Sequence, residues 1–403
     1  MTKQHVLGLL AALGLAVTVA APAMAQETPG VTKTEIKIGQ TMPYSGPASA
    51  YATIGKTEAA YFEMINDQGG INGRKINLIS LDDGYNPGRT VQQIRDLVEN
   101  QHVAFLFNTL GTPQNTAIQK YLNNAKVPQL FVASGADKWG DYKDFHWTIG
   151  YQPSYQVEAR IYAKYILKNK PDAKIAVLYQ NDDFGKDYLI GLKAGLGAKA
   201  ASMIVATQTY ETTDPTIDSQ VVSLKGSNAD TLVVAAIPKF AAQTIHKVAE
   251  LGWHPLFFMT NVSISVASVM KPGGLENSKG IITASYGKDP TDPSWKNSPD
   301  MKKYLAWMKR WYPSGNPIDV NNVYGYGLSH VMVQVLKQCG KNLSRENIMK
   351  QAANLHTTPP MLLPGITVST SPTDYHPIKQ MQLAKFNGKT WVLFGQVISG
   401  AGS

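Results

Sequence analysis

From Glu35 to Phe258 the chain keeps returning to one unit: a short run of β-branched and apolar residues, a polar turn, then apolar residues at helical spacing. The runs Ile36–Gln40, Ile76–Asp82, Val103–Phe107, Gln129–Ala133, Ile175–Tyr179, Met203–Tyr210, Thr231–Ala235 and Pro255–Met259 read as strands. Most are continuously apolar rather than alternating, the pattern of parallel strands covered on both faces. Between them, Thr90–Glu99 places Val91, Ile94, Leu97 and Val98 on one face, and Ala159–Leu167, Ala241–Leu251 and Met301–Trp311 repeat that spacing. Strand and helix alternating on this scale predict an α/β fold of doubly wound parallel sheets.

Punctuation supports these elements. Asn86-Pro87-Gly88 and Asp214-Pro215 precede helical runs, and Gly69-Gly70 follows the run through Ile65. A further strand is expected at His146–Thr148, with a break near Gly150–Pro153. Lys379–Phe386 and Thr390–Val397 flank Asn387-Gly388, a hairpin signal. A chain of 403 residues is long for one core and suits two lobes.

Export is expected. Lys3 precedes an uncharged run of about 15 residues, Val6–Ala20, and Ala23-Met24-Ala25 supplies small residues for cleavage before Gln26. That run is short of the roughly 20 residues a membrane span needs. The net charge is +9 without a basic stripe, so a solvated surface is expected rather than nucleic-acid binding. The single cysteine, Cys339, cannot pair within the chain, and its apolar neighbours predict a buried thiol. There is no Gly-x-Ser-x-Gly elbow, no His-Glu-x-x-His motif and no phosphate-binding loop, and the histidines do not pair at metal-ligand spacing. No enzyme, metal or cofactor is expected.

A series of short motifs runs from Ile36-Lys37-Ile38-Gly39 and Ser45-Gly46-Pro47 through Ile65-Asn66 and Gly69-Gly70-Ile71-Asn72-Gly73-Arg74. Asp82-Asp83, Pro87, Leu110-Gly111-Thr112, Val127-Pro128 and Asp183-Phe184-Gly185 follow in order. In this order and spacing the chain resembles the leucine/isoleucine/valine-binding protein family, the solute-binding components of ABC importers. The resemblance implies a type I periplasmic-binding-protein (Venus flytrap) fold with a three-crossing hinge. It also implies a monomer that closes on a small solute and hands it to a membrane permease. Residues 26–150 plus 285–376 are then the N-terminal lobe, and 151–284 plus 377–403 the C-terminal lobe, after a signal peptide at 1–25. A ligand-sensing receptor domain shares this fold and is the nearer alternative. A secreted hydrolase is the more distant one.

Ligands of parallel α/β sheets bind beyond the carboxyl ends of strands, where a helix N-terminus offers free N–H groups to a carboxylate. Leu110-Gly111-Thr112 meets that description, with Gly111 allowing close approach; Thr112 either donates to a ligand or caps the helix. The resemblance adds Ser134, Gly135 and Ala136 as contacts, with Asp137 either capping a turn or meeting a polar ligand group. On the facing lobe it implies Phe184, Ile237 and Asn261, and it sets Tyr51 where it shapes the cleft. Amino-acid binders of the family place an acidic residue near the position of Asn261 to pair with the α-ammonium group. Met259-Thr260-Asn261-Val262-Ser263 has none, so either the ligand is an aromatic or aliphatic carboxylic acid rather than an amino acid, or it is held through Asp137 instead. Members with a first-lobe disulfide carry cysteines near Tyr85 and Leu110; here both are absent together.

Overall fold

The computed structural model of the protein describes residues 28–399. The expected signal peptide and its cleavage after Ala25 lie outside the described residues.

The first half of the chain runs β1 (Glu35–Met42), α1 (Ala52–Asp67), β2 (Lys75–Asp82), α2 (Pro87–Arg95), β3 (Phe105–Phe107), α3 (Thr112–Asn124), β4 (Gln129–Val132) and β5 (Thr148–Gly150). The five strands form a parallel sheet in the order β2-β1-β3-β4-β5. Local chemistry sets the boundaries. Asn86 accepts from the Arg89 N–H at 3.1 Å with Pro87 beside it, starting α2. Gly70, at φ +70°, turns its N–H back onto the Ile65 carbonyl at 2.9 Å and stops α1.

The chain then crosses to a second body: α4 (Tyr155–Asn169), β6 (Ile175–Gln180), α5 (Asp183–Leu196), the short α6 (Ala200–Met203), β7 (Ile204–Tyr210), α7 (Asp218–Gly226), β8 (Thr231–Ala235), α8 (Pro238–Glu250), β9 (Leu256–Met259), the one-turn α9 (Lys271–Gly273) and β10 (Ile282–Ser285). It returns to cover the first sheet with α10 (Pro299–Trp311), α11 (Val320–Gln338) and α12 (Arg345–Ala352), plus the two-residue pair β11 (His356–Thr357) and β12 (Val368–Ser369). A third crossing delivers β13 (Gln380–Phe386) and β14 (Trp391–Ser399) to the second sheet, whose order is β14-β13-β10-β9-β8-β6-β7. Its parallel strands repeat the order of the first sheet, and the hairpin adds antiparallel to β10.

Three sequence expectations shift. The strand expected at Val103–Phe107 shortens to Phe105–Phe107, because Arg345 at the start of α12 donates to the Val103 and Ala104 carbonyls at 2.9 and 2.8 Å. The one expected at His146–Thr148 begins at Thr148, since the Asn123 side chain takes the Trp147 N–H at 2.8 Å. In the tail, Asn387 precedes the turn rather than forming its centre. Its side chain accepts from the Lys389 and Thr390 N–H groups, both at 2.9 Å, and the reversal falls on Gly388-Lys389. Cys339 is buried as expected, and burial pushes its thiol up to about 12.

Candidate functional site

In each sheet the strand order reverses beside the strand that comes first in the chain, between β1 and β3 and between β6 and β8. There the connecting segments diverge to opposite faces and leave a crevice at the carboxyl ends. The two crevices face each other. Between them lies a cavity of about 960 Å³, part of it open to solvent. It is walled by the segments that follow β1, β2, β3, β4 and β5 on one side and β6, β8, β9 and β10 on the other.

The lobes are drawn together around it. The Tyr51 hydroxyl donates across the cleft to the Val262 carbonyl at 3.0 Å, and the Asp137 N–H donates to the Asp187 carboxylate at 2.7 Å. Lys138 pairs with Asp183 at 2.7 Å, and Ser265 donates to Asp319 at 3.0 Å. These bonds describe a closed cleft. The rim ion pair is partly exposed and contributes about 1 kcal/mol or less.

Of the residues singled out from sequence, Tyr51, Leu110, Gly111, Thr112, Phe184, Ile237 and Asn261 line the cavity. Ser134, Gly135, Ala136 and Asp137 do not. They stand behind its wall, where the chain makes its first crossing, and Ala133 takes their place at the surface. Gly135 lies against the crossing: a β-carbon there meets the Pro153 carbonyl at 2.5 Å and the Tyr155 ring at 2.7 Å. Ala136 is buried, and Asp137 accepts from Ser154 at 2.5 Å.

Ser134 still acts on the cavity through Thr112. Its oxygen accepts from the Trp139 indole N–H at 2.8 Å and the Ala136 N–H at 3.2 Å. The Thr112 hydroxyl lies 2.6 Å away, and either oxygen can donate in that bond. Thr112 itself stands on the cavity wall. Gly111 caps α3 at φ +105°, so the unpaired N–H groups of the first helical turn open at the same place.

Phe184 packs against Tyr155 with ring centroids 4.9 Å apart, and Tyr155 stacks on Tyr188 at 5.2 Å. Phe184 is 2% exposed. It is therefore core as well as cavity wall, and its aromatic face is fixed in place. Tyr51, Tyr85, Tyr151, Tyr286 and Tyr324 complete an aromatic lining. No Asp, Glu, Lys, Arg or His is among the lining residues.

Position 261 has acidic company that its own segment lacks. Glu158, in the first turn of α4, lies fully buried directly behind Asn261 and accepts from both the Asn261 backbone N–H (2.8 Å) and its side-chain amide. Tyr162 and Tyr188 donate to the same carboxylate, the latter at 2.6 Å. With its nitrogen held by Glu158, the Asn261 amide is left with its oxygen for the cavity. Sequence reasoning missed Glu158 because a glutamate in a helix's first turn ordinarily faces solvent. It also missed Gln152, Tyr286, Asn321, Tyr324 and Met361, cavity residues that arrive from the crossings, α11 and the loop before β12.

Burial pushes Glu158 up from 4.5 to about 7, and Asp289 up to about 6. A carboxyl raised on folding stabilises fully below its unfolded value and loses that contribution as pH rises through the folded one. For Glu158 the span corresponds to on the order of 3 kcal/mol. The urea midpoint is accordingly expected to fall between pH 5 and 8, and Glu158→Gln should flatten the part of that fall nearest pH 7. A midpoint independent of pH would contradict this placement of the proton.

Among the described residues no group of His, Cys, Asp and Glu is placed to hold a metal ion, and no helix is long and apolar enough to cross a membrane. The periplasmic binding protein family model matches residues 35–390. The Leu/Ile/Val-binding protein homolog 7 of Brucella suis biovar 1 (strain 1330) is 24% identical over 324 residues, 75% of this chain and 77% of that protein. Among solved structures, a Thermus thermophilus branched chain amino acid ABC transporter protein with bound valine aligns at TM-score 0.81 and 15% identity, covering 92% of this chain and 98% of that one. A fatty acid ABC transporter substrate-binding protein from Thermomonospora curvata aligns at TM-score 0.78 and 20% identity, covering 93% and 95%. At those identities the structural matches establish the fold alone, a type I periplasmic binding protein. Two such lobes closed over a cavity, together with the family match across nearly the whole described chain, make this chain a member of the periplasmic binding protein family, a family of binding proteins rather than enzymes.

Proposed function

We propose that this protein captures a small carboxylate-bearing solute outside the cytoplasmic membrane, as a monomer freed of residues 1–25, and delivers it to the permease of an ABC importer. The observation that carries the reading is the cavity between the lobes with Thr112 at the start of α3 on its wall. A carboxylate there meets the Thr112 hydroxyl and the positive end of the helix. Closure over the solute forms the bonds between lobes, so the permease can read the closed state as the loaded one.

The body of the solute is apolar, and we favour an aromatic or aliphatic carboxylic acid over a branched-chain amino acid. At Asn261 the cavity offers one amide oxygen, whereas an ammonium group carries three donors and a full charge. A desolvated ammonium without a carboxylate in contact is costly. The amino acid remains the second reading because Glu158 lies one layer behind Asn261 and the curated relatives carry Leu/Ile/Val-binding names.

A thermal-shift screen with branched-chain amino acids, aromatic acids and short fatty acids tests both readings. A micromolar ligand at millimolar dose adds about 4 kcal/mol to the folded state. Thr112→Val keeps the shape and removes the donor, and is expected to weaken the best carboxylate about 10- to 100-fold, the range of a lost charge-assisted hydrogen bond. Unchanged affinity by calorimetry would place the carboxylate elsewhere.

A further inference from the structure

The cavity continues past the Thr112 and Asn261 region toward the first crossing and α11, where Gln152, Asn321 and Tyr324 line it. Two polar atoms there are buried and have no hydrogen-bond partner among the described residues: the Gln152 side-chain oxygen and the Asn321 side-chain nitrogen. Asn321 as a whole is 8% exposed. A buried donor or acceptor left unmet costs about 1–3 kcal/mol, so a pair of them on a cavity wall marks a place where something else supplies the partners.

A chain of hydrogen bonds fixes Tyr324 on this part of the wall. Glu58, fully buried inside α1, accepts from the Gln40 amide at 2.5 Å and from the Asn108 amide. That leaves the Asn108 oxygen to accept from the Tyr324 hydroxyl at 2.9 Å. With its proton committed, Tyr324 presents only its oxygen. Gln152 stands on the same wall with its side-chain oxygen buried and unpaired. Asn321 sits one helical turn before Tyr324 on the same face of α11, and its amide nitrogen is likewise buried and unpaired.

We propose that Gln152 and Asn321 form a second polar subsite that takes a group able both to donate and to accept, a hydroxyl or primary amide at the end of the solute remote from its carboxylate. This rests on the carboxylate reading above and narrows it to hydroxylated or amidated acids. The apolar stretch between the two ends, lined by tyrosines, suits a ring or a short alkyl chain.

Calorimetry on the whole mature protein tests it with matched probes: phenylpropanoate, its para-hydroxy and para-methoxy derivatives, hexanoate, ω-hydroxyhexanoate and the neutral para-hydroxyphenylethanol. In at least one carboxylate pair the hydroxylated member is expected to bind about 10-fold or more tightly than its parent, since two unmet polar atoms become paired. The methoxy ether, which accepts but cannot donate, should lose that gain. Gln152→Leu and Asn321→Leu should each bring the pair to near-equal affinity. If the acids bind and the hydroxyl confers nothing, or its gain survives both variants, the subsite is wrong and the carboxylate reading stands. If only the neutral alcohol binds and both variants abolish it, the carboxylate reading falls and the subsite stands. Binding of none of the six overturns both.

Discussion

Glu158→Leu is expected to cost about 3–5 kcal/mol of stability and to weaken solute binding together. The carboxylate gathers four donors in the second lobe: two tyrosine hydroxyls, the Asn261 N–H and the Asn261 amide. The tyrosines have other acceptors in reach, Met259 O at 2.7 Å for Tyr162 and the Thr260 hydroxyl at 2.5 Å for Tyr188. Among the described residues Asn261 has no acceptor besides Glu158. Its N–H and amide nitrogen are therefore the groups left buried and unpaired, and its side chain becomes free to turn. Urea denaturation reads the first effect and calorimetry with the best carboxylate reads the second. Glu158→Gln retains one oxygen acceptor and should recover most of the affinity. A leucine variant with wild-type affinity would show that Asn261 is held by its surroundings and not by Glu158.

Gly111→Ala is expected to reduce affinity about 100-fold, with a smaller loss of stability. The residue sits at φ +105°, where a side chain is strained by about 1–3 kcal/mol. Its new β-carbon would lie 2.0 Å from the Gln114 side-chain oxygen and 2.8 Å from the Tyr85 ring. Gln114 cannot simply swing away, because its amide holds the Tyr85 carbonyl at 2.7 Å. Relief therefore moves the cavity wall itself, Tyr85 or the first turn of α3 with Thr112. Unchanged affinity in this variant would mean that the solute does not approach the backbone at Gly111.

The frame of the protein was largely legible from its residues. Runs such as Thr231–Ala235, buried at every position, admit few fates other than a strand covered on both faces. Strand ends were less legible where side chains from distant segments intervene, as Arg345 does at Val103 and Ala104. At the cavity, residues on loops directly after strands were within reach of sequence, because a strand's carboxyl end is where such loops meet ligands: Leu110, Gly111, Thr112, Ile237 and Asn261 all follow this rule. Ser134 to Asp137 also follow a strand, yet the chain turns there into the crossing, and their polar groups are used on Thr112, Trp139, Ser154 and Asp187.

By itself the sequence determined the alternation of strand and helix, the division into two bodies and the family, since each depends on residues near one another along the chain. Only the tertiary structure decided the chemistry of the cavity. Glu158 stands 103 positions from Asn261, and Asn108 stands 216 from Tyr324. Nothing local marks either carboxylate, Glu58 or Glu158, as buried, and each orients an amide only because packing brings it there out of water. The missing acid beside Asn261 was a true reading of the segment; folding supplies that acid from another helix, one layer back.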